Sequence, residues 1–161
     1  MDAVRLIAAG RHALAQSGAA MDIVGEAWQA QALAQGIGSW LAVTGPPELR
    51  SEARGLGEAG GRGCGVLDRA ALSGEGSAPD YPPRAAQLTE VADVRQALLG
   101  LQALLGEVGI ALVGVACATD DEGLYWQCIE SIDAADESSD RVRAVLRRLT
   151  VRERGSASGV A

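Results

Sequence analysis

An all-α antiparallel helical bundle is what this sequence predicts, and three observations carry the prediction. Val91, Val94, Leu98, Leu101, Leu105, Val108, Leu112 and Val115 recur at alternating steps of three and four, an unbroken heptad seam that reads as one long helix packed along its length. Three further stretches repeat the same alternation. Between them stand helix-ending signals, Ser17-Gly18 and Gly45-Pro46-Pro47. Together they predict an up-down bundle of four long helices plus a short N-terminal one, within a single domain over residues 1–154.

Taken in order, Asp2 to Gln16 predicts the short helix, with Val4, Ile7, Arg11 and Leu14 on one stripe. Ala20 to Val43 predicts the second, with Ile23, Ala27, Ala30, Ala34, Ile37 and Leu41 in heptad spacing. Gly45 offers a left-handed cap, and Pro47 suits the first position of the next helix. From Glu48 to Leu72 the chain holds six glycines, each costing about 1 kcal/mol relative to Ala in a helix interior. Leu49, Ala53, Leu56, Gly60, Gly63, Leu67 and Ala70 nevertheless keep the alternation, so a helix is predicted whose small residues let a neighbouring backbone come close.

Ser73 to Pro83 lacks periodicity and reads as a mobile linker that tolerates cleavage or shortening. The long helix is placed at Arg84 to Ala118. Thr119 with Glu122 resembles a capping box, so the last helix is placed from about Asp120 to Arg152, its seam Cys128, Ile132, Ala135, Ser139, Val142, Leu146 and Leu149. Acids fill its first half and arginines its second, the order the helix dipole favours. Gly155 to Ala161 is expected to be a disordered tail. Leu98, Leu101, Leu105, Val108, Leu112, Ile132 and Leu146 are expected among the most buried positions.

Composition narrows the function. The chain has 161 residues, 48% of them hydrophobic, yet no Phe, Asn or Lys; all 14 basic residues are Arg. Absent residues with A/T-rich codons and abundant Ala, Gly and Arg fit a high-GC genome. A net charge of −7 excludes general nucleic-acid binding, which needs clustered positive charge. Three cysteines without a CxxC pair and a single His exclude a disulfide framework and a Cys/His zinc site. No basic segment leads into an apolar run after Met1, so the expected compartment is the cytoplasm. Leu98 to Ala118 is apolar, but Gln102 and Glu107 interrupt it. A central acid costs about 2.5–3.5 kcal/mol in a spanning helix, so a core helix is expected there and no membrane.

Few motifs could carry chemistry. Gly55-Leu56-Gly57-Glu58-Ala59-Gly60 matches the dinucleotide pattern, but the charged residues before it cannot form the strand that this chemistry requires. Glu90 with Asp93, and Glu130 with Asp133, are two ExxD pairs on consecutive helices, a spacing with which all-helical nucleotide pyrophosphatases hold Mg²⁺. They are the candidate metal ligands. Asp133, Asp136, Glu137 and Asp140 form an acidic, solvated face. Glu107 lies among Leu104, Leu105, Val108, Ile110 and Leu112; facing inward it would need a partner, such as His12 or an arginine. Glu107, His12, Trp28 and Trp126 are therefore the candidate ligand-binding residues, for an apolar cavity with Glu107 as its polar anchor and Trp40 as a further wall.

Two stretches carry a resemblance. Gly106-Glu107-Val108-Gly109-Ile110-Ala111-Leu112-Val113-Gly114-Val115-Ala116-Cys117-Ala118, and Glu122-Gly123-Leu124-Tyr125-Trp126-Gln127-Cys128-Ile129-Glu130 through Arg143, resemble an uncharacterised helical family of Streptomyces-type actinobacteria. The resemblance implies no activity and assigns no site residue. Nucleophilic catalysis needs an activated Ser, Cys or Lys beside a base. This chain has no Lys, and its one His is far in sequence from every Cys. The expectation is a non-catalytic helical scaffold without a cofactor, whose partner is a protein, a second copy of itself included. The alternatives are a Mg²⁺-dependent nucleotide pyrophosphatase-like enzyme and a binder of small apolar ligands.

Overall fold

The structure, a computed structural model, describes residues 1–71 and 82–159, with the backbone alone for residues 68–71. Among the described residues it is 87% helical and contains no strand. Five helices follow in order: α1 (Ala3–Gln16), α2 (Ala20–Thr44), α3 (Arg50–Ala71), α4 (Val94–Ala118) and α5 (Glu122–Ser158). Single 3₁₀ turns, Pro47–Leu49 and Arg84–Gln87, precede α3 and α4.

Around the bundle α2 packs on α3, α3 on α5, α5 on α4, and α4 back on α2. Ion pairs set the directions. Arg62 with Glu137, Glu52 with Arg148, and Glu48 with Arg152 run α3 antiparallel to α5, while Arg95 with Glu153 runs α4 antiparallel to α5. Every neighbouring pair is thus antiparallel, and α3 and α4 run the same way on opposite corners. The connection between them must therefore travel back along the bundle. Its described part climbs α2: Arg84 is held by Glu26 and by the Gln29 side chain, and Leu88 lies against Gly36. α1 lies between α2 and α4, parallel to α4, with Arg11 on Glu107 and Gly10 on Leu104.

α3 is helical despite its glycines, and the reason is the close approach its seam allows. A Cβ at Gly60 would sit 2.5 Å from the Gln35 nitrogen and 2.8 Å from the Gln31 carbonyl oxygen. One at Gly38, on α2, would sit 2.7 Å from the Gly57 Cα. The lost helix propensity is offset by backbone-to-backbone packing that no larger residue permits. Leu49, Ala53, Leu56, Gly60, Gly63 and Leu67 are buried as their spacing predicts; the Ala70 side chain lies outside the described residues.

Four boundaries differ from expectation. α4 begins at Val94, not Arg84, because Asp93 caps it by accepting the Gln96 N–H at 2.9 Å. The residues before it pair instead with the N-terminus. Met1 donates its ammonium to the Gln87 carbonyl and Thr89 Oγ1, both at 2.7 Å, and the Ala3 N–H reaches the Glu90 carbonyl. Val91 is buried as part of this extended segment, not of a helix. α5 is capped by Asp121, whose carboxylate accepts the Leu124 N–H, while Thr119 Oγ1 accepts from Asp121, so the capping box at Thr119 does not form. α5 also continues through Ser158, into the stretch expected as a tail. Gly45 ends α2 with φ −72°, not in a left-handed cap. The linker placed at Ser73 to Pro83 falls, except for Pro82 and Pro83, outside the described residues.

Of the predicted α5 seam, Cys128, Ala135, Ser139, Val142 and Leu149 are buried, while Ile132 and Leu146 are half-buried at its flank; Ser131, Ser138 and Val145, one step round the helix, are buried in their stead. Serines can occupy this line because their hydroxyls are satisfied: Ser131 donates to the Gln127 carbonyl and Ser138 to Gln31. In α4, Leu98, Leu101, Leu105, Val108 and Leu112 are fully buried as expected. On α1 the buried line is Ala3, Leu6, Ile7, Gly10 and Leu14, which leaves Arg11 outside.

Candidate functional site

Glu107 does not face an apolar cavity. Its carboxylate takes the Arg11 guanidinium in a two-pronged pair, Nε to both oxygens at 3.0 Å and Nη2 to Oε1 at 2.5 Å. Both side chains are well exposed, at 47% and 39%. The hydrogen bond and the negative charge of Glu107 raise the Arg11 pKa above its ordinary value. The pair pins α1 to α4 and leaves no carboxylate free to anchor a ligand.

The other candidate ligand residues are scattered. His12 is exposed on α1. Trp28 is half-buried on α2, where its carbonyl accepts from the Cys64 thiol at 3.8 Å. It borders an open cleft of about 610 Å³, walled also by Gln35, Gly61, Pro83 and Ala85. Trp40 is half-buried further along α2. Trp126 is 56% exposed, edge-on to Tyr125 with ring centres 5.3 Å apart. These residues do not share a site.

The two ExxD pairs lie towards opposite ends of the bundle. Glu90 and Asp93 sit where Met1 and Ala3 dock, and Arg95 is level with Glu153. Glu130 is 23 residues before Glu153 on α5, about 35 Å along the helix. Asp93 is also occupied as a helix cap. Glu130 and Asp133 edge an open cleft of about 740 Å³ between α3 and α5, whose other walls include Val66, Ala134 and the Arg62–Glu137 ion pair. Among the described residues no three His, Cys, Asp or Glu side chains converge as metal ligands would.

A different surface stands out, which the heptad reading passed over. Leu99, Ala103, Gly106, Ile110, Val113 and Cys117 repeat the four–three alternation on the side of α4 that faces away from the core. Ile110 is 77% exposed, Leu99 50% and Val113 48%. Solvent-facing positions of a bundle helix are ordinarily polar. Here the outer face from Leu99 to Cys117 carries no charge, and Glu107 marks its border toward α1. The signal was present in the sequence, since mean hydropathy over 18 residues of this helix reaches 1.9. By length and composition α4 could cross a membrane, although 39% of that window is buried against its own bundle.

Residues 1–148 match the profile of a family of unknown function, DUF6099. The chain belongs to this family. No curated protein and no solved structure matches it. The family covers α1 to α4 and most of α5, so α4's outer face falls wholly inside the shared region.

Proposed function

We propose that this protein is a non-catalytic helical scaffold of the cytoplasm that works by association, and that the outer face of α4 meets a second copy of the chain. The observation that carries this reading is the uncharged heptad stripe from Leu99 to Cys117. A face with that spacing is matched by another helix with the same spacing, so the stripe is complementary to itself. Each copy carries a net charge of −7. Two copies approach most easily along a face free of acids, as this one is.

The readings as a magnesium-dependent nucleotide hydrolase and as an apolar-ligand binder draw less support. The ExxD pairs lie towards opposite ends of the bundle, and Glu107 is engaged by Arg11. The Arg-only, Gly-rich composition supports an actinobacterial source.

Sedimentation velocity over a concentration series tests the association. The unaltered protein is expected to dimerise, and Ile110→Glu, which touches a side chain outside the core, to remain monomeric with unchanged helicity. A strict monomer at high concentration overturns the proposal. Magnesium-dependent hydrolysis of a nucleoside triphosphate, lost when Asp93 and Asp133 are both changed to Ala, overturns its non-catalytic part.

A further inference from the structure

The outer face of α5 lies beside that of α4, and its charges reverse along its length. At heptad spacing it presents Asp133, Asp136 and Asp140, then Arg143, Arg147 and Arg154, all exposed. Asp140 pairs with Arg143 in the same helix, both largely in solvent; Asp133, Asp136 and Arg147 make no ion pair among the described residues. The other arginines of this half are used within the bundle: Arg148 reaches Glu52 on α3, Arg152 reaches Glu48 in the turn before it, and Arg141 packs over Gly55. What remains outward is a strip that is acidic in one half, basic in the other, and charge-complementary to its own reverse.

Register ties this strip to the apolar face of α4. Arg95 reaches both Thr150 and Glu153. Counting back from those contacts, the Asp140–Arg143 step lies level with residues 103 to 106 of α4. Gly106 is the midpoint of α4, which runs from Val94 to Ala118, and residue 140 is the midpoint of α5, Glu122 to Ser158. The sign change on α5 and the smallest side of α4 therefore lie at one height, half-way along both helices.

Resting on the association proposed above, we infer that two copies pair face to face about a two-fold axis at this height, perpendicular to the helices. That operation sets α4 antiparallel on the partner's α4 and α5 antiparallel on the partner's α5. Gly106 meets its own copy near the axis, where the missing side chain lets the helices approach, and Leu99 falls opposite Val113 of the second copy. On α5, Asp140 faces Arg143 and Asp136 faces Arg147 across the axis, twice each by symmetry. A parallel pairing would set acids on acids and bases on bases. Two helices about 10 Å apart and about 37 Å long offer roughly 700 Å² per copy, close to the ~800 Å² that stable interfaces use.

Charge exchange tests the orientation. One variant combines Asp136→Arg with Asp140→Arg, the other Arg143→Asp with Arg147→Asp. All four positions are exposed, and circular dichroism of each variant verifies the fold; the single changes Asp140→Arg and Arg143→Asp serve where a double variant loses helicity. Each variant alone is expected to dimerise at least about 10-fold more weakly than the unaltered protein, one charge-pair's worth of coupling or more. Mixed, the two are expected to form a one-to-one heterodimer in native mass spectrometry. Unweakened self-association of either variant, or no heterodimer from the mixture, overturns the antiparallel pairing. It leaves the α4 association standing if Ile110→Glu still abolishes the dimer, whereas a monomeric unaltered protein removes both.

Discussion

Ser138 on α5 donates a 2.7 Å hydrogen bond to the side-chain carbonyl of Gln31 on α2, joining two diagonal helices through the centre of the bundle. Gln31 is 2% exposed and Ser138 not at all. Gly63 of α3 closes the third side, where a Cβ would fall 2.6 Å from Gln31 Oε1 and 2.7 Å from its Nε2. Three helices thus fix one buried amide. Ser138→Ala leaves its carbonyl without a donor and is expected to cost about 1–3 kcal/mol in urea denaturation. The double change Gln31→Met with Ser138→Ala removes both partners and should cost less than the single one. A single change within about 0.5 kcal/mol of the unaltered protein would show that water replaces the serine.

Glycines in this fold divide into two kinds, and alanine tells them apart. Gly25 is exposed in α2 with open space where a Cβ would stand, so Gly25→Ala is expected to stabilise by about 0.5–1 kcal/mol. Gly38→Ala and Gly60→Ala drive a methyl into the facing backbone and are expected to destabilise by about 1–3 kcal/mol, the range of an overpacked core. Thermal melting of the three variants is the measurement; equal shifts would mean that α2 and α3 can slide apart freely.

Two leucines on α4, Leu99 and Leu105, should behave oppositely. Leu105→Ala truncates a side chain that is 1% exposed and is expected to cost about 2–5 kcal/mol. Leu99, half in solvent, should cost under about 1 kcal/mol in the monomer and act instead on association. A cost below 1 kcal/mol at Leu105 would contradict the packing of α4.

The three thiols differ in access. Cys117 is exposed, while Cys64 and Cys128 are buried. At concentrations low enough to hold the protein monomeric, a thiol reagent at neutral pH should label Cys117 alone in the folded protein and all three cysteines in denaturant. Burial pushes the Cys128 thiol above its ordinary value of 9.0. In the unfolded chain the same thiol ionises first, so its contribution to stability is complete below about pH 9 and is lost as the pH rises toward the folded value. Cys128→Ala should flatten that part of the alkaline stability curve; an unchanged slope would place its origin elsewhere.

How much the sequence revealed depended on where each residue's partners lie. The α4 seam was legible because Leu98, Leu101, Leu105 and Leu112 are large, periodic and buried by neighbours along the whole helix. α3 was legible through spacing alone, against its propensity. The start of α4 was not, since Val91 extends the apolar period while the backbone there pairs with Met1 and Ala3. The seam of α5 was legible at Cys128, Ala135, Ser139, Val142 and Leu149 but not at Ser138, whose burial depends on Gln31, 107 residues away, which no local pattern records. The proposed interface was half visible. α4 is apolar on two sides, and periodicity cannot say which side its own chain covers. Of the earlier candidates, Glu107 pairs with an arginine but on the surface, not facing inward as the ligand-binding reading required, while the ExxD pairs and the tryptophans needed tertiary approaches that the topology does not make.

The parallel course of α3 and α4 has a mechanical side. Because the chain travels back along α2 before α4 begins, the start of α1 and the far end of α5 come to the same pole of the bundle, near Glu90 and Arg95. Tension applied between these two ends would not shear helices along their length, which requires many contacts to fail at once. It would peel α1 and α5 from that pole one turn at a time, opening the Arg95–Glu153 pair early. The molecule should therefore yield to pulling at low force and unravel in small steps, however firmly the glycine-lined contact between α2 and α3 holds the rest.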